Sequence, residues 1–109
     1  MKRPASGRDC FELVKACVAS VLEVDPLSFS DKTRLLRDYA LTNEDAADIA
    51  RAISERGGFA WEDGDAQTMR MSLLQLSLVE TSHLVADRVG VPRLEAWPAA
   101  GAAGGADFV

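Results

Sequence analysis

The sequence is poor in the side chains that do chemistry. It has one histidine and two cysteines in 109 residues. His83 has no cysteine or carboxylate cluster at ligand spacing around it, so a resident metal is not expected. Cys10 and Cys17 lie in a segment that reads as helix, where seven residues rise roughly 10 Å. A disulfide needs Cα atoms within about 7 Å, so the two cannot bridge in one straight helix. They are expected to act as small buried hydrophobes. There is no phosphate loop ending in Gly-Lys-Ser/Thr, no glycine-rich dinucleotide turn after a strand, and no serine on a nucleophile elbow. Carboxylates are plentiful, but they fall on helix positions where they serve solubility. The chain is therefore not expected to be an enzyme, and no cofactor is implied. No apolar run approaches the ~18 residues that cross a bilayer. The start, "MKRPASGRD", has no apolar stretch behind its basic residues. The expectation is a cytoplasmic chain without signal peptide or membrane span.

What is present is an ordinary globular composition, 48% hydrophobic and 27% charged, enough for one domain. The net charge is -5. That disfavours nucleic acid, whose phosphates need clustered Lys and Arg. It suits a protein partner with a basic patch, because complementary potentials steer encounter.

Periodicity predicts an all-α chain. Asp9 and Glu12 have the spacing of a capping box, and Phe11, Val14, Val18, Val21 and Leu22 recur at helical steps, giving a helix over 10–24. Pro26 stops it. Residues 25–41, "DPLSFSDKTRLLRDYAL", read as a long connection that tucks Leu27, Phe29, Leu35, Leu36 and Leu41 beneath itself, with room for a short helical turn near 32–36. A second helix is expected over 43–56, with Thr42 as N-cap, Asp45 as its capping-box partner, and Ala46, Ile49, Ala50 and Ile53 as the buried stripe. Gly57 and Gly58 end it. "MRMSLLQLSL" is ambiguous between a short helix and an extended segment. A last helix spans 78–89, closed by Gly90 and Pro92. The division is a flexible N-terminus over 1–8, a helical domain over 9–91, and a flexible Ala/Gly-rich tail over 92–109 in which Trp97 and Phe108 are stray apolar residues.

Three phrases in one order, "LEVDPLSFSDKTRL", "LRDYALTNEDAADI" and "ISERGGFAW", resemble the acyl carrier protein family. Its members have a first helix ending in a Leu-Gly-Val-Asp-Pro-like phrase, a loop, and Asp-Leu-Gly-x-Asp-Ser-Leu opening the second helix. The resemblance covers residues 10–61 well and the last helix weakly. It implies a four-helix acyl-carrier-like bundle with a long loop between helices 1 and 2. It also implies that phosphopantetheine would sit on the serine, where a helix N-terminus favours phosphate.

This chain departs from the motif there. Asp38, Tyr39 and Ala40 match Asp-Leu-Gly, but Thr42, Asn43 and Glu44 replace Asp-Ser-Leu. Asn43, at the serine position, has no hydroxyl to form the phosphodiester. The chain is similar to small bacterial carrier-like proteins that lack this serine. The resemblance implies partner recognition by acids of the second helix, and Asp45, Asp48 and Glu55 fall on those positions; a merely solvated acidic face is the other reading of them. Glu44 and Arg51, the latter where the family often has a methionine, complete the candidate partner-binding residues, with a fatty-acid- or polyketide-type enzyme as one class of partner. Three readings stand: an interaction module without the prosthetic group; a working acyl or peptidyl carrier using Thr42, Ser28 or Ser30; and an unrelated helical adaptor.

Overall fold

The structure is a computed structural model that describes residues 3–62 and 64–97. Within them are five α-helices and no strand: α1 (Gly7–Leu22), α2 (Leu35–Tyr39), α3 (Asn43–Gly57), α4 (Asp65–Gln75) and α5 (Leu78–Val89). A 3-10 turn, Pro26–Ser28, lies between α1 and α2. α1 packs against α3 and α5, α3 against α4, and α4 against α5. No described helix is long and apolar enough to cross a membrane.

α1 begins three residues earlier than its periodicity suggests. Its cap is Ser6, whose Oγ accepts from the Asp9 amide at 3.1 Å. The Asp9 carboxylate turns back to accept from the Ala5 amide at 3.0 Å. Asp9 is thus the partner of a cap and not the cap itself, and residues 7 and 8 belong to the helix. The far end stops on Glu23, held left-handed at φ 59°.

The 25–41 connection is more structured than a single long loop. Asp25 accepts from the Leu27 amide at 2.9 Å and seeds the 3-10 turn, with Pro26 supplying the fixed φ of its first position. Thr33 then accepts from the Ser30 amide at 2.8 Å. α2 follows, so the described residues hold five helices where the resemblance implies four. The Arg34 amide donates to the Asp38 carboxylate at 3.0 Å, taking the place of an N-cap side chain, which α2 lacks. The Arg34 guanidinium donates to the Gln75 carbonyl at 3.0 Å and ties α2 to α4. The Arg37 hydrogen bond and the Arg34 amide hold the exposed Asp38 carboxyl down to about 2. Of the five apolar residues expected beneath the connection, Phe29, Leu35 and Leu41 are buried, whereas Leu27 and Leu36 are 85% and 54% exposed.

α4 resolves the ambiguous segment. It is helical over 65–75 and buries Met69, Ser72 and Leu73. Its apolar residues wrap much of its circumference, which blurs the 3.6-residue period; the packing of α3 and α5 on it selects the helix. Ser77 caps α5 with Glu80 in a second capping box, and the buried Ser72 and Thr81 hydroxyls satisfy each other at 2.9 Å between α4 and α5.

The core joins Phe11, Val14 and Val18 of α1 to Ile49 and Ile53 of α3, Met69 and Leu73 of α4, and Leu78 and Val85 of α5. Cys10 and Cys17 are unpaired and buried within it, and desolvation pushes both thiols up to about 11. Neither thiolate forms at neutral pH, so a thiol reagent at pH 7.5 is expected to leave the native chain unlabelled and to modify both after denaturation. Rapid labelling of the folded chain in intact-mass analysis would contradict this.

The chain stays on the body beyond the sequence boundary at 91. The Leu94 carbonyl lies 2.6 Å from His83 Nε2, Arg93 pairs with Asp87 at 2.9 Å through Nε, and Trp97 packs edge-on against Phe11 with ring centroids 4.7 Å apart. Gly7 permits this approach: a Cβ there would meet the Leu94 nitrogen and the Pro92 oxygen at 2.6 Å. Trp97 is therefore part of the core's covering. Phe108 and the rest of the tail lie outside the described residues.

Candidate functional site

The junction into α3 is built as its residue types dictate. Ala40 turns left-handed at φ 52°, Leu41 is buried as an anchor, and Thr42 takes the extended conformation of an N-cap. Its Oγ1 accepts from the Asp45 amide at 3.0 Å, and Asp45 Oδ2 accepts from the Thr42 amide at 3.4 Å, completing the box. Asn43 and Glu44 are the first helical residues, both exposed. If Thr42 caps α3, Thr42→Ala costs about 1 kcal/mol on equilibrium denaturation; an unchanged midpoint would mean that the helix start is held by something else.

The candidate partner residues divide in two. Glu44, Asp48, Arg51 and Glu55 are all exposed, and their steps of four, three and four place them in one row along α3. Asp45 is half-buried and committed to the capping box, so it stands apart from that row. Within the row Arg51 binds Asp48 at 2.8 Å. Glu44 and Glu55 have no ion pair among the described residues, so the net charge of the row rests on them. Arg56, outside the row, donates to Ser20 Oγ of α1 at 3.4 Å.

The hydroxyls near this junction are each hydrogen-bonded, with different partners. Thr42 is occupied by the Asp45 amide. Ser28 donates to the Asp25 carbonyl at 2.7 Å and lies 3.2 Å from the Tyr39 hydroxyl. Ser30 accepts from the Lys32 amide. Among the described residues no group of three or more His, Cys, Asp and Glu could hold a metal.

Searches of protein-family models, curated proteins and solved structures each return no match to this chain.

Proposed function

We propose that this chain is a carrier-like protein-interaction module that works without phosphopantetheine and engages a partner through the exposed row on α3. One observation carries the reading. The Thr42–Asp45 box opens α3 as an attachment junction would, and the residue at the serine position, Asn43, offers an exposed amide in place of a hydroxyl.

A second observation supports the carrier-like frame. Among the described residues only two non-glycines have positive φ, Glu23 at 59° and Ala40 at 52°. In the phrases that resemble the family, "LEVDP" and "DYAL", these are the positions of its two glycines. The backbone keeps the left-handed turns that glycine allows most readily, although the side chains have changed.

The first test is covalent. Incubation with coenzyme A and a broad-specificity phosphopantetheinyl transferase is expected to leave the intact mass unchanged. A gain of one phosphopantetheine would establish the rival reading, an acyl or peptidyl carrier with an atypical attachment residue. All three candidate hydroxyls, Thr42, Ser28 and Ser30, are hydrogen-bonded, so each is a residue to map by peptide mass analysis.

The second test is electrostatic. Against a ketosynthase-type partner with a basic patch, Asp48→Lys and Glu55→Lys are each expected to weaken binding several-fold at low salt and much less at high salt, because a Debye length falls from about 30 Å at 0.01 M to about 8 Å at 0.15 M. Equal losses at both salts, measured by titration calorimetry, would remove the charged row from the interface. Asp45→Lys is a poorer probe, since it also breaks the cap.

A further inference from the structure

Away from α3, a groove of about 250 Å³ runs between the start of α4 and the end of α5, lined by Trp61, Glu62, Asp65, Leu84, Asp87 and Arg88. Trp61 and Leu84 supply its apolar surface, and the remainder of the lining is polar or charged. Trp61 is fixed there in advance: its Nε1 donates to the Ala50 carbonyl at 2.9 Å, and its ring stands edge-on to Phe59 at 5.0 Å. A wall already ordered adds little entropy cost to binding.

The rim carries charge of mostly one sign, and its groups are unequally engaged. Asp87 is held by both arms of Arg93. Arg88, the one cation of the lining, donates to the Ala60 carbonyl at 2.8 Å and stands 3.8 Å from Glu62. That leaves Glu62 loosely paired. Asp65, half-buried at the first position of α4, has no hydrogen bond or ion pair to its carboxylate among the described residues.

We propose that this groove seats one basic side chain, a lysine or arginine, of a protein partner. The alkyl stem would lie on Trp61 and Leu84, and the cationic head would meet Asp65 and Glu62 while sharing the indole face. Concavity, an indole already held in place and a carboxylate without an ion pair among the described residues suit a cation on a methylene stem. The inference rests on the reading of the chain as an interaction module only for the source of the cation.

The test uses the intact ¹⁵N-labelled chain and two probes with the same methylene stem, one ending in an ammonium and one in a neutral amide: Nα-acetyl-lysine methylamide and its Nε-acetylated counterpart. The charged probe is expected to move the Trp61 indole and Asp65 amide resonances saturably, at concentrations on the order of millimolar as befits a single cation–π contact. The acetylated probe should not. Asp65→Asn should weaken the charged probe at least threefold with the rest of the spectrum unchanged, whereas Asp48→Asn on α3 should leave it unaffected. Equal shifts with both probes, or binding indifferent to Asp65→Asn, would overturn the site. Spermidine is the remaining arm: if it binds far more tightly than the lysine probe, the groove serves a free polyamine and the protein-partner assignment fails. A phosphopantetheine mass gain in the separate transferase assay would overturn the proposed function and leave the groove result standing.

Discussion

Phe11→Ala is expected to lower the unfolding free energy by about 3–5 kcal/mol, the range for emptying a buried aromatic site that cannot collapse. Phe11 is 1% exposed, on the face of α1 that looks into the bundle. Trp97 lies edge-on to its ring, and the Lys15 ammonium stands 5.2 Å from its centroid. Removing the ring therefore opens a cavity and deprives Trp97 of its neighbour. Urea denaturation followed by far-UV circular dichroism measures the loss. Trp97→Ala should cost less, because Trp97 is only half-buried. The double variant gives the coupling between the rings, expected at about 0.5–1.5 kcal/mol for an aromatic pair. A coupling near zero would mean that the 92–97 segment does not hold to α1 in solution.

The second large effect has the opposite sign. Glu23 and Ala40 sit in the left-handed region, which costs a residue with a Cβ roughly 1–2 kcal/mol. Glycine removes that strain but enters with a freer unfolded chain, which takes back about 0.5–1 kcal/mol. Glu23→Gly and Ala40→Gly should each stabilise the fold by about 0.5–1 kcal/mol. They lie at the ends of different helices and share no hydrogen bond, so together they should give about 1–2 kcal/mol. A thermal melt would show this as a rise of several degrees. If either glycine destabilises, its φ in solution is not the left-handed one, and the backbone argument for a carrier-like frame weakens at that position.

The α3 junction was legible because its hydrogen bonds are local. Thr42 and Asp45 are three residues apart, and capping geometry depends on that spacing and on residue type. The same holds for the close of α3 at Gly58 and of α5 at Gly90, both left-handed. The start of α1 was misread for a related reason. Ser6 and Asp9 offer one cap and Asp9 and Glu12 offer another at equal spacing, and the approach of residues 92–94 to Gly7 favours the earlier start. Periodicity identified the helices whose apolar stripe is narrow. It did not decide α4, whose apolar residues point several ways.

Other features depend on partners far along the chain. Nothing in "DPLSFSDKTRLLRDYAL" says that Leu35 is buried and Leu36 exposed; the hold of Arg34 on Gln75, 41 residues away, helps set how α2 lies on α4. Trp97 looked like a stray tail residue until Phe11 was placed beneath it. Trp61 and the acids after it were visible in the sequence, but the groove they form needs Leu84 and Asp87 of α5 as its other wall.

Residue identity was enough for the helices α1, α3 and α5, the capped start of α3, the absence of a hydroxyl at position 43 and two cysteines suited to a core. Each of these is a matter of residue identity or of bonds spanning a turn or two. Packing between helices set which acids of α3 face solvent in one row, which are held by a cap or an arginine, and where residues 92–97 lie. Those outcomes follow from packing between segments distant in sequence, where burial and a partner's position, not local spacing, set the free energy.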